Sequence, residues 1–224
     1  VLTSSAASDV YKRQLYAMAR AYCGRMVHAV HRLDRPVSGV IVLALNKEAL
    51  SALAKMFETR RVTKRYVGVV RGWALSGDTI DHPLLPPRDD RSGSSEPRSA
   101  VTRYERMAMV ETPVPVRPYD SSRYSLLALY PETGRRHQLR RHMKHISHHL
   151  IGDTTYGRGE HNRMFREKFA CPRLLLHSAS VAFEHQRSGE PLAISAPLDD
   201  AFAQITQTLG WSGHPGLPAE PPEI

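Results

Sequence analysis

The spacing of apolar residues along the chain predicts several short strands and fewer helices. Short apolar runs and alternating apolar positions predict strands over residues 37–45, 64–72, 101–110, 124–130, 174–184 and 192–195. Apolar residues on one helical face, preceded by a capping side chain at Asn46 or Asp199, predict helices over residues 47–60 and from 200 onward. Helices are also predicted over residues 15–22 and 135–146. Because the strands do not alternate strictly with helices, an α+β fold is favoured over a doubly wound sheet.

The same patterns divide the chain into three parts. Residues 1–14 show no regular pattern and are predicted to be a disordered or non-native leader. Residues 15–210 form one predicted domain, and residues 211–224 a mobile, Pro-rich tail. Within the domain, Pro, Ser, Gly and charged residues predict an exposed loop over 83–100, and residues 152–168 are predicted to be polar and irregular.

Composition narrows the class of protein. The chain has 224 residues, 41% of them hydrophobic, which is enough to bury a core. No apolar run approaches the roughly 18 residues that span a bilayer. Two cysteines, Cys23 and Cys171, are too few for a disulfide framework or a four-cysteine zinc site. We therefore expect a cytoplasmic protein without a membrane partner.

The charge is strongly positive and is carried mainly by arginine. Lys and Arg number 31 against 22 acids, for a net charge of +9, and 25 of the 31 are Arg. The planar guanidinium suits phosphate oxygens and stacks on bases. A nucleic acid is the simplest polyanionic partner, although a solvated Arg-rich surface would give the same composition.

A single carboxylate lies among cations just before a predicted buried strand. The segment His-Arg-Leu-Asp-Arg-Pro-Val-Ser-Gly covers residues 31–39, and Asp34 is its only acid. Nearby cations keep such a carboxylate ionised, so that it can act as a nucleophile or a base. The alternative is a salt-bridged Asp that only fixes a turn.

A second segment, residues 133–152, is basic throughout. It contains four Arg, one Lys and five His and no acid. On a helix, Arg136, Arg140 and Lys144 would share one face that suits phosphates, and one Arg could turn inward to pair with Asp34. The alternatives are a solvated basic face and a metal site built from His142, His145 and His149. The surrounding cations oppose a divalent metal, so no metal is expected.

A third short motif, Lys64-Arg65-Tyr66, begins a predicted strand. An aromatic ring beside Arg suits stacking on an unpaired base, although a Tyr packed at a sheet edge has the same sequence. The chain contains no Walker loop, dinucleotide-binding glycine motif or Gly-x-Ser-x-Gly motif. A phosphate-loop enzyme or a dinucleotide-dependent enzyme is therefore disfavoured.

These three motifs, in this order, resemble those of the RluA-type pseudouridine synthases. Residues 31–39 are similar to the family's aspartate motif, 64–66 to its tyrosine motif and 134–142 to its arginine motif, and the resemblance covers about residues 15–202. Residues 153–157, 161–165 and 173–177 are most similar to a member that modifies uridine 65 of tRNA. Val37 departs from the usual Thr, and the two strands that precede the aspartate motif in the family are not recognised here.

The resemblance implies a mixed, mainly antiparallel sheet with flanking helices and a central RNA-binding cleft. It also implies isomerisation of a flipped-out uridine to pseudouridine, with no cofactor and no obligate protein partner. The catalytic residues would be Asp34, Tyr66 and Arg140. The implied substrate-binding residues are Arg32, Ser38, Arg135, Arg136, His137, Gln138, Leu139, Arg141 and Lys144.

Other functions remain open on the sequence alone. The substrate could be ribosomal RNA rather than tRNA, or the chain could bind RNA without catalysis. A metal-dependent nuclease that uses the histidines is a third possibility.

Overall fold

The structure is a computed structural model that describes residues 9–86, 95–185 and 188–218. These residues form five helices and nine strands. The helices are α1 (Asp9–Cys23), α2 (Lys47–Glu58), α3 (Gln138–His145), α4 (Gly159–Lys168) and α5 (Asp200–Thr208). The strands are β1 (His28–Ala29), β2 (Ser38–Gly39), β3 (Leu43–Ala44), β4 (Thr63–Arg71), β5 (Gly77–Asp81), β6 (Val101–Thr112), β7 (Ser122–Pro131), β8 (Leu176–Glu184) and β9 (Pro191–Ser195).

A seven-stranded sheet runs through the described residues. Its main order is β2-β8-β4-β7-β6-β5, and β9 also pairs with β8. The pairing of β2 with β8 is parallel, and the other pairs are antiparallel. Strands β1 and β3 form a separate antiparallel pair. The predicted α+β class is confirmed.

Two helices begin where the sequence predicts. The Asn46 side chain accepts a hydrogen bond from the Ala49 N–H at 2.7 Å, and the Asp199 side chain accepts one from the Phe202 N–H. Each cap satisfies a backbone donor that the first turn of a helix leaves free. Leu53 and Met56 of α2, and Phe202 and Ile205 of α5, are buried.

The apolar run over residues 37–45 forms two short strands in different sheets rather than one long strand. Gly39 has φ of +107°, a conformation that side chains other than hydrogen disfavour. A Cβ there would lie 2.1 Å from the Ser178 carbonyl oxygen. This glycine brings β2 against β8 and redirects the chain before β3, so the run cannot continue as one strand.

Three further elements differ from the sequence prediction: α4, the unpredicted strand β5 and the start of α3. Helix α4 lies in the segment predicted to be irregular, and its buried residues, Met164 and Phe165, are adjacent, so no helical apolar period appears. Strand β5 buries Ile80 alone and pairs only with β6 in the sheet. The arginine segment becomes helical at Gln138, three residues later than predicted.

Both predicted chain ends differ from the structure in part. Trp211 is 5% exposed and packs in a core cluster with Phe202, and Leu217 packs against that cluster. Apolar packing therefore holds the first part of the predicted mobile tail, while residues 219–224 lie outside the described residues. At the other end, α1 begins inside the predicted leader, of which residues 1–8 are not described.

The predicted loop at 83–100 is anchored at both ends, where Leu84 and Arg98 form an isolated bridge. Residues 87–94 of this loop lie outside the described part of the chain. Among the described helices, none is long and apolar enough to cross a membrane.

Candidate active site

Asp34 lies in the loop that leads into β2. The Val37 N–H donates to the Asp34 carbonyl oxygen at 2.9 Å, which closes a turn over the intervening residues. The Asp34 side chain keeps 25% of its surface exposed, and its Oδ2 lies 3.7 Å from Nη1 of Arg140. The carboxylate is thus held beside a buried cation and still open to solvent.

Tyr66 lies on β4, directly opposite Ser178 of β8. Burial raises the pKa of the Tyr66 phenol to about 12, and the negative charge of Asp34 acts in the same direction. The neighbouring Ser178 hydroxyl opposes part of this rise in pKa. Ser178 Oγ is buried and, among the described residues, has no partner at ordinary hydrogen-bond geometry. Tyr66 is therefore a neutral phenol beside the Asp34 carboxylate.

The start of α3 is fixed by the Gln138 side chain. Its Oε1 accepts hydrogen bonds from the Thr133 hydroxyl and the Arg135 N–H, and its Nε2 donates to the Val101 carbonyl and to Thr102 Oγ1. Before it, His137 adopts the left-handed conformation, with φ of 55°. These contacts turn the chain so that the next residues of the helix face inward.

Arg140 is the central cation of the site, and its side chain is 5% exposed. Its Nε donates to Asp153 Oδ2 at 2.8 Å and its Nη2 to Asp153 Oδ1 at 2.7 Å. The sequence leads us to expect Asp34 as the partner of Arg140. In the structure Asp153 is the carboxylate that accepts two hydrogen bonds from Arg140, and Asp34 lies farther away.

Asp153 is held as an anion. Burial alone would raise the pKa of its carboxyl, but the Arg140 guanidinium and the N–H groups of Tyr156 and Thr155 lower it overall. Both N–H groups donate to Asp153 Oδ1 at 2.9 Å. Asp153 and Arg140 therefore form a buried ion pair joined by two hydrogen bonds.

Tyr156 joins His137 to this pair. Its hydroxyl lies 3.0 Å from His137 Nδ1, and the Arg140 guanidinium carbon lies 5.1 Å from its ring centre. Burial lowers the pKa of His137, although the charge of Asp34 opposes that shift. A neutral imidazole thus lies near the Asp34 carboxylate.

Ser38 is not open to a ligand in this structure. It is buried, and its Oγ lies 2.8 Å from both His177 Nδ1 and Asp199 Oδ2. It also accepts a hydrogen bond from Arg173 at 3.0 Å. These contacts tie the loop after Asp34 to β8 and to the start of α5.

The remaining predicted binding residues fall into two groups. Arg32, Arg136 and Lys144 are exposed, while Arg135 and Arg141 are half-buried. Arg135 and Arg141 donate to the carbonyls of Ser99 and Leu85, respectively.

In contrast, Gln138 and Leu139 are buried, Gln138 in the polar network at the helix start and Leu139 in a core cluster. Arg136 precedes the helix and Arg140 turns inward, so these two and Lys144 do not form one exposed helical face.

The three histidines considered for a metal site have separate partners. His142 lies 2.9 Å from Thr102 Oγ1 and 3.1 Å from the His82 carbonyl oxygen. His145 stacks on His82 with ring centres 3.7 Å apart, and His149 lies beyond the end of α3. The described residues contain no group of three metal-ligating side chains suited to an ion.

Sequence reasoning did not assign Asp153 and Tyr156 to the site. Asp153 and Tyr156 belong to the segment 153–157 that resembles one family member, but the sequence assigns neither of them a role, and the acid-free basic segment ends just before Asp153. A signal was present, because a buried Arg needs a carboxylate and Asp153 is the first acid after the arginine motif. The sequence gives no distance from which to choose between Asp34 and Asp153.

Known proteins resemble this chain in sequence and in fold. A family model described as RNA pseudouridylate synthase matches residues 1–145. The tRNA pseudouridine synthase C of Salmonella typhi is 43% identical over 199 residues, which cover 87% of this chain and 76% of that protein. The protein of the same name from Vibrio cholerae serotype O1 is 41% identical over 197 residues, covering 86% and 81%.

The solved structures agree with the sequence matches. Human RNA pseudouridylate synthase domain containing 1 superposes with a TM-score of 0.65 at 26% identity, covering 90% of this chain and 86% of that one. Human RNA pseudouridylate synthase domain containing 4 shares the fold, with a TM-score of 0.68 at 23% identity and coverage of 89% and 83%. The chain is a member of the RNA pseudouridylate synthase family, the isomerases that convert uridine in RNA to pseudouridine.

Proposed function

We propose that this chain converts a uridine of tRNA to pseudouridine and that Asp34 is the carboxylate that acts on the ribose. The observation that carries the assignment is the position of Asp34, which is partly exposed and lies 3.7 Å from the buried Arg140. The charge of Asp34 also acts on the neutral phenol of Tyr66. A partly exposed carboxylate, an aromatic ring and a buried cation thus lie close together.

The reaction needs only one carboxylate. In one route an Asp34 oxygen bonds to C1′ as the C1′–N1 bond breaks, and the bonding electron pair leaves with uracil. In the other route Asp34 takes a proton from C2′, and a C1′=C2′ double bond forms as uracil leaves. In both routes C5 of the rotated base then bonds to C1′. In the first the bond between the Asp34 oxygen and C1′ breaks, and in the second the proton on Asp34 returns to C2′, so that Asp34 is again a carboxylate. The proton lost from C5 is balanced by one gained at N1.

The other residues would bind and orient the RNA. Tyr66 would stack on the flipped uracil, and the exposed Arg32 would fill the space that the base leaves in the helix, which offsets part of the cost of unstacking. Lys144, Arg136, Arg135 and Arg141 would contact phosphates. We assign the buried Ser38, Gln138 and Leu139 to holding the shape of the site rather than to contact with RNA.

Transfer RNA is the preferred substrate because relatives 41–43% identical to this chain are named for it. We place the modified base at uridine 65 on the resemblance of residues 153–157, 161–165 and 173–177. A ribosomal RNA hairpin is the second candidate, since it also presents a uridine in structured RNA. A tRNA-modifying role implies a cytoplasmic location.

The test is pseudouridine mapping on unmodified tRNA and ribosomal RNA. Wild-type protein should modify one tRNA position, and Asp34→Asn should form no product while binding RNA within about threefold of wild type, because shape and surface charge change little. The control is Asp120→Asn, which removes the charge of an exposed acid and should keep full activity.

Each alternative gives a different result. Product from purified Asp34→Asn protein would exclude Asp34 as the acting carboxylate. Product in ribosomal RNA only would replace the tRNA assignment. Salt-sensitive RNA binding without any product from wild-type protein would favour a non-catalytic RNA-binding protein.

A further inference from the structure

We propose that Asp153 is the permanent counterion of Arg140 and that it allows Asp34 to lose and regain its negative charge during the reaction. Asp153 would be a positioning residue, because it touches Arg140 and not the reacting atoms. The proposal rests on the proposed function in one respect: it takes Asp34 as the acting carboxylate.

Asp153 and Asp34 contact Arg140 in different ways. Asp153 receives two hydrogen bonds from Arg140, at 2.8 and 2.7 Å, and its side chain is 1% exposed. Asp34 lies 3.7 Å from Arg140, and its side chain is 25% exposed. Two parallel N–H···O bonds fix both the position and the plane of a guanidinium. Arg140 is therefore oriented by Asp153 and only approached by Asp34.

Asp153 is itself held through both its carboxylate and its backbone. The N–H groups of Thr155 and Tyr156 donate to one of its oxygens. The Asn162 side chain donates to the Asp153 carbonyl oxygen at 2.8 Å and accepts from the Gly152 N–H at 2.8 Å. Gly152 approaches the Arg173 carbonyl so closely that a Cβ would lie 1.8 Å from its oxygen. Such a support suits a residue whose task is to hold another group in place.

The charge balance explains why a second carboxylate is needed. In both routes Asp34 becomes neutral in the intermediate, as an ester or as a carboxylic acid. If Asp34 were the sole counterion, Arg140 would then be an unpaired buried cation, which is strongly unfavourable. With Asp153 in place Arg140 stays paired throughout, so the intermediate does not carry that cost.

The same arrangement keeps Asp34 reactive in the free enzyme. A carboxylate that accepts two charge-assisted hydrogen bonds is stabilised and must lose them before it can attack or take a proton. Because Asp153 occupies Nε and Nη2, only the more distant Nη1 faces Asp34. Arg140 can orient Asp34 without holding it in a tight pair.

The first experiment compares two substitutions that separate charge from shape. Asp153→Asn keeps the shape and removes the charge, whereas Asp153→Glu keeps the charge and changes the shape. We expect the single-turnover rate of pseudouridine formation to fall at least about 100-fold in Asp153→Asn and less in Asp153→Glu. RNA affinity should stay within about threefold in both. If Asp153→Glu is the slower variant, the counterion role is refuted.

A double-substitution cycle tests whether Asp153 acts through Arg140. If it does, adding Asp153→Asn to Arg140→Ala should slow the reaction by less than threefold, because the cation that needs a counterion is gone. Independent effects that multiply would contradict the proposal. Ile205→Ala, which removes volume from a core cluster, is the stability control, and it should lower the melting temperature without changing the rate per folded molecule.

A crystal structure of Asp153→Asn provides a measurement that needs no activity. Arg140 should turn toward Asp34, and the 3.7 Å separation should shorten to a direct hydrogen bond of about 2.8 Å. An unchanged Arg140 would overturn the proposal even if the variant were slow. Failure of the proposed function looks different, because wild-type protein would then form no product or Asp34→Asn would remain active.

Discussion

Tyr66 shows how one residue acquires a role from its place in the sheet. It follows Arg65 on β4, so the two side chains point to opposite faces. The Arg65 side chain donates to the Gly216 carbonyl oxygen and so holds the C-terminal segment on one face. Tyr66 packs partly against the cluster that contains Leu139 and lies near Asp34 on the other face. The short Lys-Arg-Tyr motif thus contributes to both faces of the sheet.

The high pKa of Tyr66, about 12, argues for stacking rather than for proton abstraction by a phenolate near neutral pH. We predict that Tyr66→Phe keeps most of the rate and binds RNA within about threefold of wild type. Tyr66→Leu, which removes the ring, should lower the rate roughly 10-fold or more, because base–aromatic stacking contributes about 1–3 kcal/mol. Single-turnover assays of both variants provide the measurement. A large loss of rate in Tyr66→Phe would show instead that the Tyr66 hydroxyl contributes to the reaction.

At this scale, the sequence predicts which residues belong to the candidate site better than it predicts their partners. Asp34, Tyr66 and Arg140 lie far apart in the chain, and the structure brings them to one place. Each of the three lies in a short contiguous motif, so it can be recognised from the residues next to it in the sequence. The pairing of Arg140 with Asp153 joins α3 to the turn after Gly152, and no local pattern in the sequence encodes the distance between them.

At the scale of elements, Ser38 illustrates how a motif residue can serve the fold. It belongs to the aspartate motif, yet the structure surrounds it with His177, Asp199 and Arg173. This network joins β2 to β8 and to the first turn of α5. It fixes the loop that carries Asp34 by linking elements that are distant in the sequence.

We predict that Ser38→Ala lowers the free energy of unfolding by about 1–3 kcal/mol, because it leaves buried polar groups without a partner. RNA affinity should change less than threefold. Urea denaturation and a binding assay measure the two effects. Ser51→Ala on the exposed surface of α2 is the control and should leave both unchanged. Lost affinity at unchanged stability would instead mark Ser38 as a substrate contact.

The elements that the sequence predicts well share a local cause. Helix α2 has a cap at Asn46 and an apolar face with the helical period, and α5 has the same features after Asp199. Helix α4 has no side-chain cap and no repeating apolar face, so tertiary packing of Met164 and Phe165 determines it. The sequence predicts one strand over residues 37–45 because an apolar run does not reveal the turn at Gly39.

For the whole molecule, two half-buried histidines couple folding to pH. His31 precedes the Asp34 loop, stacks on Phe57 and accepts a hydrogen bond from the Val42 N–H at 3.0 Å through Nε2. That bond requires an unprotonated Nε2. Burial, aided by the positive charge of Lys64, lowers the pKa of His31 to about 4. Burial likewise lowers the pKa of His161 to about 4.

The sign of the effect follows from the two pKa values of each histidine. In the unfolded chain a histidine takes up a proton near pH 6.5, whereas the folded His31 and His161 do so only near pH 4. Between these values the unfolded state binds more protons, so the free energy of unfolding falls as the pH drops from about 6.5 to about 4. Asp153 and Asp199 act at lower pH, since their pKa values lie below the usual value for Asp.

We therefore predict that the wild-type protein is less stable at pH 5 than at pH 7 and that His31→Gln reduces this difference by about 1–2 kcal/mol. A glutamine oxygen can accept the Val42 hydrogen bond and does not titrate, so the variant should fold at both pH values. Urea denaturation at the two pH values provides the measurement. His185→Gln at an exposed position is the control and should leave the difference unchanged. If His31→Gln and His185→Gln behave alike, then the loss of stability on acidification arises elsewhere, and the loop that carries Asp34 is not the pH-sensitive part of the fold.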